Sequence, residues 1–308
     1  MTSVAVIGAG AIGAYYIYGL YDCKDINLTV IASGERRKKL QDEGLTINGR
    51  RYDLAVRTPQ EQAAAGTDLL LVCVKYGALR EILPDIRTMT GENTIVLSPM
   101  NGIDSEEIIG EVIGKQHMVG SFMRISSERI GQNVVFNPEK TDGIFFGKLP
   151  DGAPQKDVQK AADVFRGSGV RWRISEDIVH DIWDKYMRNI CFNLPQALLG
   201  VGVGAFYDSE HVAWISKALE EEVRKTAAAE GIVLDPLVRK LKDRKKAAYS
   251  TLQDIRAKRH TEIEMFAGTL LRVAAKHGLK LPYTEYTYHA IRALEEKNDG
   301  KFDYNDEE

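Results

Sequence analysis

Short apolar runs alternate with more polar segments along the first half of the chain. Residues 4–7 and 69–74 are apolar over the length of one strand, and residues 28–31 and 94–97 are apolar except for one threonine each. The unbroken run at 69–74 is typical of a strand with both faces buried in a parallel sheet. Residues 78–87 are expected to form the helix that crosses from the third of these strands to the fourth. This strand–helix–strand alternation predicts a right-handed, doubly wound parallel sheet.

The pattern changes between residues 104 and 172. Asp104 with Glu107 three residues later predicts a capped helix start, in which the two residues exchange hydrogen bonds between side chain and backbone. Three short apolar segments follow, at residues 134–136, 144–146 and 170–172. We expect these segments to be strands that extend the sheet with an antiparallel edge.

Strand signals disappear after about residue 175, and residues with high helix propensity predominate. Helical spacing is carried by residues 178–193, 211–230, 237–249 and 261–277. Gly231 and Gly278 follow two of these stretches, as C-terminal caps do. We therefore predict an α/β Rossmann-type N-terminal domain over residues 1–174, followed by an all-α C-terminal domain over residues 175–308.

Charge and cysteine content narrow the functional classes. Lysine and arginine number 41 against 44 acidic residues, a formal net charge of −3 with no extended basic run. This balance gives no reason to expect nucleic acid as a partner, and the longest apolar run is far too short to span a membrane. The cysteines lie far apart and the histidines show no metal-ligand spacing. We therefore expect a reduced, cytoplasmic protein without a metal site.

A G-x-G-x-x-G pattern directly follows the first predicted strand and opens a helix. Its residues are Gly8, Ala9, Gly10, Ala11, Ile12 and Gly13. In a dinucleotide site the first glycine makes the tight turn, the second lets the pyrophosphate approach the backbone, and the third lets helix and strand pack closely. The phosphates then lie at the helix N-terminus, where free N–H groups favour anions. The alternative is a structural glycine turn in an unrelated α/β protein.

The end of the second strand is where a dinucleotide site contacts the adenosine ribose. An NAD site usually has an acidic residue there for the 2′-hydroxyl, and an NADP site has a nearby arginine for the 2′-phosphate. This chain has Ser33, with Glu35, Arg36 and Arg37 just beyond. The missing acid and the arginines favour NADP over NAD. Alternatively, these charged residues form only a solvated helix face.

Polar residues recur along one side of an otherwise apolar helix in the second half. Lys185, Asn189 and Asn193 are spaced i, i+4 and i+8, which places them on one side of a helix. A lysine there is costly unless it faces a site or a partner, and asparagines suit the orientation of a hydroxyl or carbonyl group. Alternatively, the lysine extends to solvent and the asparagines are structural. Glu262 or Glu264 is a further candidate, against a simple preference of acids for a helix start.

Taken together, these segments resemble the ketopantoate reductase family, also called 2-dehydropantoate 2-reductases. The resemblance covers nearly the whole chain. It rests on residues 8–13, 71–75, 101–102, 183–189 with Asn193, 252–255 and 261–263. The glycine motif is shared by many dehydrogenases, whereas the lysine–asparagine helix and the two later segments are much more specific.

The resemblance implies NADPH-dependent reduction of 2-dehydropantoate to (R)-pantoate, a step of pantothenate biosynthesis. It implies that Lys185 is the catalytic lysine, and that Glu262 holds a hydroxyl group in the site or helps to bind the cofactor. An ammonium group suits this chemistry, because it both stabilises and protonates the carbonyl oxygen as charge develops there. The remaining implied contacts are substrate binding by Asn101, Asn189, Asn193 and Ser250, and cofactor binding by the glycine motif, Arg36, Lys75, Asn101 and Ser126.

Several departures from the family pattern leave the substrate open. Many members have arginine where Ser33 stands, and the family's Asn-Pro pair is displaced by one residue to Asn193-Leu194-Pro195. Residues 98–100 and the glycine-rich residues 200–204 also differ from the sequences common in the family. The alternatives are a paralogous reductase of another 2-oxo acid, a β-hydroxyacid or opine-type dehydrogenase, and a dinucleotide-binding regulator without turnover.

The helical half is also expected to form a homodimer. Phe266, Leu270 and Leu271 are the candidates for buried positions there. The sequence alone does not distinguish burial inside one chain from burial between two.

Overall fold

In the computed structural model, which describes residues 1–130, 133–238 and 245–304, the chain divides into two units, Met1–Val179 and His180–Glu308. The strands are β1 Thr2–Ile7, β2 Ile26–Ile31, β3 Leu45–Ile47, β4 Arg50–Tyr52, β5 Val56–Arg57, β6 Leu69–Val72, β7 Ile95–Leu97, β8 Met118–Arg124, β9 Ser127–Ile130, β10 Asn133–Phe136, β11 Gly143–Gly147 and β12 Trp172–Ile174. None of the described residues beyond Ile174 belongs to a strand.

The α-helices are α1 Ala11–Leu20, α2 Gly34–Glu43, α3 Pro59–Ala65, α4 Tyr76–Leu79, α5 Leu83–Met89, α6 Ser105–Ile113, α7 Gln155–Phe165, α8 Ile178–Arg188, α9 Leu194–Leu199, α10 Ala205–Asp208, α11 Glu210–Ala229, α12 Ser250–Arg256, α13 Thr269–Lys276 and α14 Pro282–Asn298. Two π turns, Asn189–Asn193 and Glu264–Gly268, lie in the second unit. Within the described ranges, no helix is both long enough and apolar enough to cross a membrane.

The first unit is built around an eight-stranded sheet in the order β12-β11-β8-β7-β6-β1-β2-β5. Six neighbouring strands of this sheet run parallel: β5, β2, β1, β6, β7 and β8. At one edge, β11 pairs antiparallel with β8. The predicted fold class, with its antiparallel edge, is therefore confirmed. The segment at residues 134–136 is also a strand, but β10 lies in a second sheet of order β4-β3-β10-β9.

Both faces of the large sheet are covered. Val4 and Val6 of β1 belong to one buried apolar cluster, whereas Ala5 and Ile7 belong to another. Every residue of β6 is buried. Alternate side chains of one strand thus enter opposite core layers, which is why these strands are continuous apolar runs in the sequence.

Two local predictions in this unit are wrong. Residues 78–87 do not form one helix, because the chain breaks into α4 and α5, with Pro84 in the first turn of α5. The capping box is also absent: α6 begins after Asp104 as predicted, but the Asp104 side chain does not cap it. Instead, Asp104 Oδ2 accepts a hydrogen bond from the Tyr76 hydroxyl at 2.6 Å.

The second unit is helical, as expected, but its helices are less regular than their spacing suggests. The predicted helices at 178–193 and 261–277 each contain a π turn. The caps at Gly231 and Gly278 are confirmed by left-handed φ angles of 80° and 66°. The predicted helix at 237–249 lies partly outside the described residues, and its described ends, 237–238 and 245–249, are not helical.

Candidate functional site

The glycine turn has the geometry that its three glycines predict. Gly8 has a φ of 97°, and a Cβ placed on it would lie 2.6 Å from the Cys73 carbonyl carbon. A Cβ on Gly13 would lie 2.0 Å from the Gly8 carbonyl oxygen. In contrast, a Cβ on Gly10 would meet no atom within 4 Å. The outer glycines are thus required for packing, whereas Gly10 leaves open space in front of the backbone.

Helix α1 begins at this open space. Gly10 is its N-cap residue, and the first N–H bonded back along the helix is that of Ala14, which donates to the Gly10 carbonyl oxygen at 2.8 Å. The N–H groups of Ala11, Ile12 and Gly13 precede that bond and have no intrahelical acceptor. Free N–H groups beside open space form a cradle suited to a phosphate group.

The other candidate residues of the first unit follow neighbouring strands of the same sheet. Lys75 follows β6 and is the N-cap residue of α4, and Asn101 follows β7. Ser126 is exposed beyond the end of β8, and Ser33 follows β2. Because these strands are parallel to β1, all of these positions lie at the carboxyl edge that carries the glycine turn. β1 lies where the strand order reverses, which is the usual ligand position in such sheets.

The arginines beyond β2 are not equivalent. Arg37 pairs with Glu61 of α3, with a distance of 3.0 Å between Nη2 and Oε1. Glu61 itself completes a capping box with Thr58 at the start of α3. Arg36 is exposed and has no hydrogen bond or ion pair with the residues that the structure describes. Of the two arginines, Arg36 is therefore the guanidinium available to an anionic group.

In the second unit, the lysine–asparagine helix continues into a π turn. α8 carries Lys185, and Asn189 and Asn193 are the first and last residues of the turn. Residues four apart on an α-helix differ in direction by about 40°. On a regular helix, Asn193 would therefore point further away from the direction of Lys185 than Asn189 does. A π turn closes from i to i+5, so four of its residues rotate by less than a full turn. The π turn therefore keeps Asn193 closer to the line of Lys185 and Asn189.

Ser250 begins α12, which packs against α9 and the Asn189–Asn193 turn. The backbone before Ser250 is held by Gln196, a fully buried residue of α9. Gln196 Oε1 accepts from the Tyr249 N–H at 2.6 Å, and Gln196 Nε2 donates to the Ala247 carbonyl oxygen at 3.0 Å. Both ends of one amide thus fix the segment that leads to Ser250.

Glu262 is supported in a similar way by α14. The buried carboxylate of Glu295 accepts from both the N–H and the hydroxyl group of Thr261, at 2.7 and 2.6 Å. Glu262 is half-buried, whereas Glu264 is exposed, pairs with Arg272 and accepts from the Tyr288 hydroxyl at 2.9 Å. Of the two candidate acids, Glu264 therefore belongs to a surface network.

Two buried polar atoms lie beside the predicted substrate residues without a partner. Asn189 Nδ2 and Thr251 Oγ1 make no hydrogen bond with any part of the chain that the structure describes. Leaving such a group buried and unsatisfied costs about 1–3 kcal/mol. Both groups are able to bond to oxygen atoms of a ligand.

The comparisons with known proteins cover both units. The family model described as "Ketopantoate reductase PanE/ApbA" matches residues 4–151, and the model of the C-terminal part of the same family matches residues 177–295. The chain belongs to the ketopantoate reductase family. This is a family of oxidoreductases.

Individual relatives are distant in sequence but match over nearly their full length. A 2-dehydropantoate 2-reductase of Pyrococcus horikoshii is 27% identical over 305 residues, covering 96% of this chain and 99% of that protein. A PanE/ApbA family ketopantoate reductase from Ralstonia eutropha has a TM-score of 0.80 at 22% identity, covering 97% of this chain and 100% of the other. The ternary structure of D-mandelate dehydrogenase with NADH and anilino(oxo)acetate has a TM-score of 0.83 at 23% identity, covering 97% and 99%.

Sequence reasoning missed the hydrogen bonds by which three buried polar side chains of this ketopantoate reductase fold hold the backbone of other segments. Gln196, Glu295 and Tyr186 are buried polar residues with backbone partners in other segments. A buried polar residue is not distinguished by sequence from an exposed one on the same helix. Of the three candidates for buried positions, Phe266 and Leu270 are fully buried within this single chain and Leu271 is half-buried.

A second buried acid, Glu106, lies in α6, the helix that follows Asn101 in the chain. Glu106 is 9% exposed and accepts from the Ser105 hydroxyl at 2.8 Å and from the Ser121 N–H at 3.2 Å. The Ser98 hydroxyl in turn donates to Ser105 Oγ at 3.0 Å. Burial raises the pKa of Glu106 to about 7, although both hydrogen bonds to its carboxylate act in the opposite direction.

Proposed function

We propose that this chain is an NADPH-dependent reductase of a 2-oxo acid, with 2-dehydropantoate as its substrate. The observation that carries the proposal is that models of one reductase family match both units, residues 4–151 and 177–295. In this proposal, residues 1–174 bind the dinucleotide and residues 175–308 supply the lysine–asparagine helix.

The glycine turn fits a dinucleotide on structural grounds. Its backbone leaves open space at Gly10, and the N–H groups of the first turn of α1 point towards that space. We assign the pyrophosphate to Gly8, Ala9, Gly10, Ala11, Ile12 and Gly13. Lys75, Asn101 and Ser126 lie along the same sheet edge and are assigned to the remainder of the cofactor. When bound, the reduced nicotinamide supplies the hydride that reduces the oxo carbon.

Lys185 is assigned as the proton donor. As the oxo carbon is reduced, negative charge develops on the carbonyl oxygen, and an ammonium group stabilises this charge and transfers a proton to the oxygen. The product is a hydroxyl group, and the neutral amine then regains a proton from solvent. Glu262 is assigned to hold a hydroxyl group in the site.

The remaining polar groups suit recognition of the substrate. The unpartnered Asn189 Nδ2 is a donor for a carbonyl or carboxylate oxygen. Asn193 and Ser250 add an amide and a hydroxyl group, and Asn101 is a further candidate from the first unit. A 2-oxo acid presents a carboxylate and a carbonyl oxygen, and these residues are donors to both.

A second candidate is NADH-dependent reduction of a different 2-oxo acid. The observation in its favour is Ser33, whose small hydroxyl side chain stands where many family members have arginine. A structural neighbour, D-mandelate dehydrogenase, was solved with NADH and anilino(oxo)acetate. Arg36 supports NADPH instead, because its exposed guanidinium is available to a 2′-phosphate.

Steady-state oxidation of NADPH and of NADH, with 2-dehydropantoate and a panel of other 2-oxo acids, tests the proposal. NADPH turnover with 2-dehydropantoate is expected to fall about 1000-fold in Lys185→Ala, within the range typical of a lost general acid. The dissociation constant of NADPH should change less than twofold. Lys217→Ala, a lysine of α11 in the same unit, is the control for loss of one positive charge.

The outcomes separate the alternatives. Turnover of another 2-oxo acid, with 2-dehydropantoate inert, would overturn the substrate and keep the chemistry. Binding of NADPH without turnover of any oxo acid would favour the regulator hypothesis.

A further inference from the structure

Two π turns stand beside the proposed catalytic residues of the second unit. The first, Asn189–Asn193, continues the helix of Lys185, and the second, Glu264–Gly268, begins two residues after Glu262. The two turns pack against each other. π turns are rare and occur frequently at functional sites, because their wider hydrogen-bonding pattern alters the regular backbone ladder.

One side chain connects the helix of Lys185 to the second π turn. The hydroxyl group of Tyr186 donates to the Phe266 carbonyl oxygen at 2.5 Å and lies 3.3 Å from that of Met265. The Phe266 carbonyl oxygen therefore accepts from a side chain of α8 in addition to the Thr269 N–H at the end of its own turn. A hydrogen bond of this kind is not readily replaced by water when both groups are buried.

The phenol ring is itself tightly enclosed. Tyr186 is 1% exposed. Its ring meets that of Trp183 edge to face, with centroids 5.9 Å apart, and lies at a tilt to that of Phe266 at 6.4 Å. The side chain therefore has little freedom, so its hydroxyl group fixes the distance between α8 and the backbone of the second π turn.

We propose that Tyr186 is a positioning residue that sets the placement of the Lys185 ammonium relative to the Glu262 carboxylate. Tyr186 directly follows Lys185, and its acceptor, Phe266, lies four residues after Glu262. This inference rests on the proposed function, since it assigns both flanking residues to the reaction. A misplacement of about 1 Å at a reacting group is enough to lower a rate about 100-fold, so one remote hydroxyl group can matter for turnover.

Tyr186→Phe removes this hydroxyl group and keeps the ring. Tyr288→Phe is the matched control, because the Tyr288 hydroxyl bonds to the Glu264 side chain of the same π turn on its exposed side. Both variants are compared with the wild type for kcat, KM and melting temperature, alone and combined with Glu262→Gln.

Tyr186→Phe is expected to lower kcat by 10- to 50-fold, with the KM for NADPH changed less than twofold, whereas Tyr288→Phe changes kcat less than twofold. In the Glu262→Gln background, the additional loss from Tyr186→Phe should shrink to less than twofold, because the arrangement that Tyr186 maintains has already lost its carboxylate. Wild-type kcat in Tyr186→Phe, or losses that multiply fully in the double variant, would overturn the proposal.

A measurement without turnover separates this proposal from the proposed function. Trinitrobenzenesulfonate labelling of Lys185 is followed against pH by peptide mass spectrometry. The midpoint is expected to shift by at least 0.5 pH unit in Tyr186→Phe and to stay unchanged in Tyr288→Phe; an unchanged midpoint in both overturns the proposal. If the wild type reduces no 2-oxo acid, the proposed function fails and this labelling alone decides the role of Tyr186. If Tyr186→Phe does not fold, Tyr186→Met replaces it with the same expected values.

Discussion

In the first unit the candidate dinucleotide site is made largely of backbone, whereas in the second unit the candidate substrate site is made of side chains. The glycine turn offers N–H groups and open space at Gly10. In the second unit, the proposed site consists instead of the side chains of Lys185, Asn189, Ser250 and Glu262, which lie on several segments of the chain. A backbone site is damaged by adding atoms, and a side-chain site is damaged by removing them.

The largest expected effect comes from adding one methyl group to the turn. In Gly13→Ala the new Cβ would lie 2.0 Å from the Gly8 carbonyl oxygen, so we expect a loss of about 4 kcal/mol in the free energy of unfolding. Gly10→Ala has open space and should unfold at nearly the same urea concentration as the wild type. Its dissociation constant for NADPH should rise at least tenfold, because the methyl group would occupy the position proposed for the phosphate. Equal stability of the two variants would contradict this reading of the turn.

The next effect concerns a buried acidic side chain of the first unit, Glu106 of α6. Burial raises the pKa of Glu106 from 4.5 to about 7, so between these values the folded chain holds a proton that the unfolded chain has lost. Stability contributed by this group therefore falls as pH rises from about 4.5 to about 7, by about 3 kcal/mol in total.

Urea unfolding at pH 5 and pH 8 checks this dependence. Glu106→Gln should remove most of the difference between the two pH values and should be more stable than the wild type at pH 8. Glu107→Gln, at the exposed neighbouring position, should keep the wild-type difference. A pH dependence that survives in Glu106→Gln would assign it to another group.

A smaller effect is expected where the second unit depends on one amide. Gln196→Ala leaves the Tyr249 N–H and the Ala247 carbonyl oxygen without their partner, and we expect a loss of about 2 kcal/mol in the free energy of unfolding. The KM for the oxo acid should rise, since Ser250 follows this segment, while NADPH binding stays constant. Gln159→Ala, which removes an exposed side chain that bonds to Asp163, should change stability by less than about 0.5 kcal/mol.

The smallest effect sharpens the comparison at Arg36, an exposed side chain of the first unit that is proposed to contact the cofactor. Arg36→Ala is expected to raise the dissociation constant of NADPH about tenfold and to leave that of NADH unchanged, because only NADPH carries the 2′-phosphate. Fluorescence titration of both cofactors measures this. Lys38→Ala, exposed on the same helix, should affect NADPH less than twofold. Equal weakening of both cofactors would exclude a specific phosphate contact.

The same contrast explains what the sequence could predict. The glycine turn is encoded by consecutive residues whose spacing matches local backbone requirements, so its position and geometry were predictable. Its sheet followed from apolar runs that are buried on both faces. Errors arose where a longer-range partner decided the outcome, as when Asp104 bonds to Tyr76 instead of capping α6.

In the second unit, periodicity predicted helices but not their irregularities. Nothing in the pattern of residues 261–277 indicates a π turn, because that turn depends on packing and on partners such as Tyr186. Helical spacing singled out Lys185, Asn189 and Asn193 as candidates, but their roles were predicted only through resemblance to a family. Gln196 and Glu295 were missed altogether, since their backbone partners lie 51 and 34 residues away in the chain.

Because Asn189–Asn193 is a π turn, the number of residues in this segment is part of its structure. A π turn holds one residue more than the α-helical turn it replaces, and the family's Asn-Pro pair is separated here by the single residue Leu194. Deleting one residue from such a turn restores a regular α-helical turn and leaves the direction of the following helix nearly unchanged, because the wide turn holds the extra residue within itself. Alignments of this chain with its relatives should therefore place a one-residue gap near Asn193, whereas a deletion in the regular part of the helix would rotate everything after it by about 100°.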